Sequence, residues 1–283
     1  MLVINKVKEI QEKIFELKKN KKSIGFVPTM GYLHEGHVSL IKSSCSDNEI
    51  SVVSLFVNPA QFNDPSDFEK YPKNTEKDLE ICKENNVDIV FLPEVSEFYP
   101  DGFEGKIDIK IPHLMKNLCA TTRPGHFEGV MLVISRLFHF VSPDKAYFGK
   151  KDYQQFLIIK EFSEIMGFPV EVIGVDTIRE EDGLAMSSRN ARLSEKGREA
   201  SNLIFRSMKI AKEYSFKKNV NIKELKDVIR EVILSSSLTK IDYLEILDPK
   251  DLNEKEELSG DIFIGLAVFV EGVRLIDNFI YRV

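Results

Sequence analysis

The sequence predicts an α/β protein: a doubly wound parallel sheet followed by a smaller domain of mixed α+β type. Three observations predict it. Short apolar runs rich in Val, Ile and Phe alternate with amphipathic helical patterns through residues 1–176, the order of strands and crossover helices in a parallel sheet. From residue 177 the texture changes to two helical segments followed by two strand-like runs. A chain of 283 residues also exceeds the usual size of one hydrophobic core, so a large domain with a smaller one is the natural division.

The elements follow in order. Residues 1–22 mix apolar positions with Lys and Glu at helical spacing, which excludes an uninterrupted apolar segment of signal-peptide type. Residues 23–27 are the first expected strand, 37–45 a helix and 50–57 a second, buried strand, which completes a strand-helix-strand unit. Next come a helix at 74–85, a strand at 87–91, a helix at 129–140, a strand at 145–148, a helix at 152–166 and a strand at 170–175. In such a sheet ligands sit beyond the carboxyl ends of the strands. The smaller domain, residues 177–283, contains helices at 195–214 and 222–234 and strands at 241–247 and 262–270. The last run is the most apolar of the chain, yet too short to cross a bilayer and followed by Glu271, so it reads as a buried strand. No membrane role is expected.

Composition narrows the function. A hydrophobic fraction of 43% and a charged fraction of 30% describe a chain folded throughout. The net charge of -6 opposes general nucleic-acid binding, which needs cations for phosphates. Cys45, Cys82 and Cys119 are widely spaced and contain no CxxC pair, so reduced thiols in a cytoplasmic protein are the expected state.

The chemistry concentrates in a few segments. Met30-Gly31-Tyr32-Leu33-His34-Glu35-Gly36-His37 lies where the first expected strand hands over to a helix, the place where a phosphate binds. Gly31 and Gly36 permit a tight turn and close approach, and the helix offers unpaired N–H groups and a positive dipole end. His34 and His37 stand about one turn apart and can donate hydrogen bonds to an α-phosphate as charge builds on it. The alternatives are a pair of capping or core histidines, or a zinc pair for which no third ligand stands nearby.

Gly149-Lys150-Lys151-Asp152 follows the fourth expected strand on the same side of the sheet; Lys151 can neutralise phosphate and Asp152 can accept from a ribose hydroxyl or cap the next helix. Gln61, in a loop after the second strand, and Gln155, one turn beyond Lys151, mark a pocket for a polar substrate, because amides hold hydroxyl and carboxylate groups without adding charge. Arg123 can supply a cation for a carboxylate or form a structural ion pair.

The His-x-Gly-His turn resembles that of the first-class aminoacyl-tRNA synthetases and the small nucleotidyltransferases, which usually carry a second, basic loop later in the chain. Met186-Ser187-Ser188-Arg189 fits that place: two hydroxyls and a guanidinium can clamp the pyrophosphate of ATP as it leaves. A helix cap is the alternative.

Five segments stand in order along the chain: PTMGYLHEGH at 28–37, FVNPAQF at 56–62, RPGHFEGV at 123–130, YFGKKDYQQ at 147–155 and DGLAMSSRN at 182–190. Together they resemble one family over essentially the whole chain, the pantothenate synthetases, also called pantoate-β-alanine ligases. The resemblance implies a Rossmann-like, adenylyltransferase-type domain with a smaller C-terminal lid, and condensation of (R)-pantoate with β-alanine through pantoyl adenylate. It implies ATP with Mg2+ as substrate, no tightly bound organic cofactor and a cytoplasmic homodimer. Carried over residue by residue, Met30, Gly31, Tyr32, Leu33, His34, Glu35, Gly36, His37, Gly149, Lys150, Lys151, Asp152, Ile178, Met186, Ser187, Ser188 and Arg189 would bind ATP. His37 would donate the proton, with His34, Lys151 and Arg189 completing the catalytic set, and Gln61 and Gln155 would hold pantoate. The metal ligands are left open. Two departures stand out: Tyr32 where the family commonly has a small residue, and Lys150 where it commonly has an acid. The competing readings are a small nucleotidyltransferase acting on a phosphorylated alcohol, and a nucleotide-binding module without catalysis.

Overall fold

The parallel sheet is present, with one strand more than expected. The computed structural model describes residues 1–63, 65–103 and 108–283, residues 65 and 66 by their backbone alone. Among the described residues the sheet contains β1 (Leu2–Ile4), β2 (Ile24–Thr29), β3 (Ile50–Leu55), β4 (Ile89–Phe91), β5 (Lys145–Gly149) and β6 (Glu171–Val175), in the order β1-β4-β3-β2-β5-β6. All neighbours are parallel. β1 corrects the expectation that residues 23–27 are the first strand. At three residues it is too short to show a period, and Leu2 and Val3 are exposed on an edge, so only Ile4 carries a core signal.

The helices interleaved with these strands are α1 (Val7–Lys19), α2 (Glu35–Asp47), α3 (Pro65–Glu69), α4 (Thr75–Glu84), α5 (Val95–Phe98), α6 (Cys119–Thr122), α7 (His126–Val141) and α8 (Tyr153–Ile165). Alternation along each strand feeds two cores. Ile24, Phe26, Val52, Ala146 and Phe148 pack with α1 and α7 on one face. Val27, Val53, Leu55 and Tyr147 pack with α2 and α4 on the other. Gly25 has no room for a side chain: a Cβ there would collide with Ser44 of α2 and with Asn48, which caps its C-terminus.

The chain forms two compact units. The first is Met1–Ile111, Arg123–Lys150 and Gln155–Asp176; the second is Pro112–Thr122, Lys151–Gln154 and Thr177–Val283. The strand order of the first reverses between β2 and β5, the topological switch point of its sheet. Their carboxyl ends lead into the turn at residues 30–34 and into Gly149 and Lys150.

The second unit contains α9 (Glu195–Ser215) and α10 (Ile222–Ile233) on an antiparallel sheet, β7 (Thr239–Leu247), β8 (Asp261–Val270) and β9 (Val273–Arg282). β9 is an unexpected strand of this unit. Glu271 and Gly272, at φ of 49 and 80, make a two-residue turn that returns the chain directly onto β8. Among the described residues no helix is long and apolar enough to cross a membrane.

Candidate functional site

The turn after β2 is tied down at three points. Thr29 Oγ1 donates to the Ser54 carbonyl at 2.8 Å and accepts from the Gly31 N–H at 3.1 Å. Gly31 (φ 79) and Tyr32 (φ 53) are both left-handed, which reverses the chain sharply. The third point is Asp78 of α4, 3% exposed, whose Oδ2 accepts from the Tyr32 N–H at 2.8 Å and whose Oδ1 accepts from the Leu33 N–H at 2.7 Å. A Cβ on Gly31 would stand 2.9 Å from Asp78 Oδ2, so the glycine is also required by the carboxylate's approach.

His34 and His37 start α2 as a reciprocal cap. His34 Nδ1 accepts from the Gly36 N–H at 3.1 Å, and His37 Nδ1 accepts from the His34 N–H at 3.3 Å, with ring centroids 4.2 Å apart. The capping arrangement is therefore real, and it has a chemical consequence. A neutral imidazole whose Nδ1 accepts must carry its proton on Nε2, so each ring is fixed as an Nε2–H donor. The cap itself engages Nδ1 of each ring.

Gln61 belongs to the same unit, in a 3-10 turn at Pro59–Gln61. Its Nε2 donates to Met30 Sδ at 3.1 Å, so the fold brings Gln61 against the His turn. Its Oε1 accepts from Asn58 Nδ2 at 3.1 Å, and Asn58 in turn donates to the Gly129 carbonyl and accepts from Tyr99. Burial pushes the Tyr99 hydroxyl well above its ordinary pKa, so it remains a donor. Gly129 is essential to this packing: a Cβ there would collide with the Ala60 carbonyl.

Behind the loop, His126 Nδ1 lies 2.8 Å from the Gln61 carbonyl and Arg123 lies 2.9 Å from His126 Nε2. Since the carbonyl only accepts, His126 is the Nδ1–H tautomer and takes the Arg123 bond on Nε2. Arg123 thus supports the Gln61 backbone. Gln155, on α8, is partly buried, and among the described residues its amide has no hydrogen-bond partner. Its neighbour Gln154 has a structural task in the second unit, bonding the Cys119 N–H and the carbonyls of Leu114 and Asn117.

Lys150 pairs with Asp176 at 2.8 Å and lines an open depression of about 510 Å3 with Lys42, Ser43 and Asp47. Lys151 and Asp152 group with the second unit, their side chains 3.5 Å apart. There Met186 donates its N–H to the Ile178 carbonyl at 3.0 Å across an Arg179/Ala185 bridge, which joins the two ends of the 178–186 turn. Ser187 caps the following 3-10 turn by accepting from the Arg189 N–H at 3.2 Å, and Ser188 is buried. Among the described residues no group of three or more His, Cys, Asp or Glu side chains is placed to hold a metal ion.

The family model described as Pantoate-beta-alanine ligase matches residues 2–280. This chain belongs to the pantoate-beta-alanine ligase family. A pantothenate synthetase of Leptospira interrogans is 54% identical over 278 residues, 98% of this chain and 97% of the relative. The crystal structure of a pantothenate synthetase from Thermus thermophilus matches at a TM-score of 0.91 and 37% identity, covering 99% of each chain. A pantoate-beta-alanine ligase from Francisella tularensis, complexed with beta-gamma ATP and beta-alanine, matches at a TM-score of 0.82 and 35% identity, over 99% of this chain and 97% of that one.

Membership makes the chain a ligase and sets aside the nucleotidyltransferase reading. Two supporting residues, Asp78 and Asn58, carry little signal in the sequence. Asp78 sits in an amphipathic helix rich in acids, where one carboxylate looks like any other on a solvated face. Asn58 precedes Pro59 within FVNPAQF, so its cap of Ala60 was the one available signal for the Gln61 support.

Proposed function

We propose that this chain condenses (R)-pantoate with β-alanine at the expense of ATP, giving pantothenate, AMP and pyrophosphate. A pantoate carboxylate oxygen attacks the α-phosphorus of ATP; the bond to the bridging oxygen breaks and pyrophosphate leaves. The β-alanine amine then attacks the acyl carbon of pantoyl adenylate, and AMP departs with the original carboxylate oxygen. Adenylation is required because a free carboxylate would have to expel oxide.

The observation that carries this reading is the paired histidine cap. His34 and His37 hold Nε2–H donors at the head of α2, beside the switch point where a nucleotide binds in a doubly wound sheet. In this reading His37, aided by His34, meets the developing charge at the α-phosphate. Residues 30–37, Gly149, Lys150, Asp152 and Ile178 cradle ATP, and Gln61 and Gln155 hold pantoate. Lys151, Met186, Ser187, Ser188 and Arg189 take the polyphosphate. The ATP and β-alanine of the Francisella relative's complex support the same substrate pair.

Mg2+ would enter as part of the Mg-ATP substrate and would neutralise charge on the phosphates. Residues 1–176 carry ATP and pantoate, residues 177–283 act as a lid that keeps water from the adenylate, and the working form is a cytoplasmic homodimer. Incubation with pantoate, β-alanine and Mg-ATP should yield pantothenate, AMP and pyrophosphate in equal amounts. ADP with inorganic phosphate in their place would mean an acyl phosphate and would overturn the adenylate route.

A further inference from the structure

β9 carries two adjacent polar residues, Asp277 and Asn278, and both are buried. Successive residues of a strand point to opposite faces, so the pair reaches two places at once. Asp277 occupies the same row as Val273, Leu275 and Tyr281, which belong to the hydrophobic core of the second unit. An acid in that row is costly unless it is paired.

Its partner is Arg179. The guanidinium meets the carboxylate with both nitrogens, NH1 to Oδ2 at 2.6 Å and NH2 to Oδ1 at 3.0 Å, and lies 4.0 Å over the Phe205 ring. The same two nitrogens donate to the Gly183 carbonyl at 3.1 Å and the Asn278 carbonyl at 3.2 Å. Burial pushes the Asp277 carboxyl up, against the opposing pull of Arg179. Arg179 therefore fixes the 178–186 turn from inside, at the point where it delivers Met186, Ser187, Ser188 and Arg189. On the other face of β9, Asn278 Nδ2 donates to the Lys151 carbonyl at 2.8 Å. One dipeptide thus grips the two segments that carry the unit's cations for ATP.

We propose that Asp277 and Asn278 are positioning residues for adenylation: through Arg179 and the Lys151 carbonyl they hold the 186–189 clamp and Lys151 in one fixed register, so that both meet the same departing pyrophosphate. The proposal rests on the functional reading above. A purely structural pair would stabilise the sheet without preference for either half-reaction; a positioning pair matters only while the polyphosphate is present.

The two are separated by Asn278→Ala, which removes the bond to Lys151 and leaves the apolar row intact, and by Asn278→Asp, which keeps the shape but sets an acceptor against the carbonyl. Both should lower the kcat of pantoate-dependent pyrophosphate exchange by about tenfold or more, as expected for a misplaced phosphate ligand, and raise the KM for ATP. At a temperature where the variants remain folded, the KM for pantoate and the rate at which β-alanine consumes preformed pantoyl adenylate should stay at the wild-type values. Arg179→Lys keeps the charge, loses the fork and should show the same selective loss. Wild-type exchange kinetics in Asn278→Ala, or equal slowing of both half-reactions, would overturn the proposal alone. Exchange by the wild-type enzyme that ignored pantoate would overturn the functional reading and the proposal with it.

Discussion

Asp78 Oδ1 lies 2.7 Å from the Leu33 N–H, so a buried carboxylate of α4 holds the backbone of the turn that opens α2. With Oδ2 on the Tyr32 N–H, this one side chain satisfies two consecutive amides in a left-handed stretch that has no secondary structure to pair them. It sets where His34 begins the helix.

Asp78→Ala should therefore do two things. Leaving the Tyr32 and Leu33 donors unpaired costs about 1–3 kcal/mol of stability, read from urea unfolding. Adenylation should slow more than that loss predicts from unfolding alone, since folded protein remains at low temperature. Exchange that tracked only the folded fraction would count against a role in placing the turn.

Gly129→Ala tests the Gln61 support. The added methyl meets the Ala60 carbonyl and must push the 58–61 loop off α7, at a cost of about 1–3 kcal/mol for overpacking. The expected kinetic signature is a higher KM for pantoate with the KM for ATP little changed. A rise confined to ATP would reassign Gln61.

His37→Asn distinguishes the cap from the chemistry. An asparagine oxygen can accept the His34 N–H, so stability should change by less than the ~0.5–2 kcal/mol of a lost cap. The Nε2–H donor is gone, and adenylation should fall by about 10²–10³-fold, the effect of removing one donor aimed at developing charge. Wild-type rates in His37→Asn would leave His37 as a cap alone.

Burial first, then the Asp78 charge, push the Cys82 thiol from 9.0 up to about 12. In the unfolded chain the thiol ionises near its ordinary value, whereas in the folded protein it stays protonated. The stabilising contribution is thus complete below pH 9 and is lost as pH rises from there towards about 12. Denaturant midpoints across that range should fall more steeply for the wild type than for Cys82→Ala. Parallel slopes would show that the thiol ionises equally in both states.

The sequence made the sheet legible wherever a strand was buried on both faces. Phe26, Val27, Val52 and Val53 belong to continuous apolar runs, and such runs announce a parallel core. β1 and β9 escaped for different reasons. β1 is three residues long with two exposed, whereas β9 hides an acid in its apolar row and begins after a Glu-Gly turn rather than the familiar Asn-Gly.

Motif spacing singled out the His turn and the 186–189 segment as candidates, and in both the structure shows the capping that was the alternative reading. It was silent on Asp78, Asn278 and Arg179, whose partners lie 45, 127 and 98 residues away. The membership of residues 112–122 and 151–154 in the second unit was equally hidden, since only long-range contacts create it.

If pantoate itself attacks ATP in a first, separable step, labelled pyrophosphate should exchange into ATP with β-alanine left out. That exchange should require pantoate and proceed without the amine; exchange indifferent to pantoate, or silent until β-alanine is added, would rule out a pantoate-first adenylation.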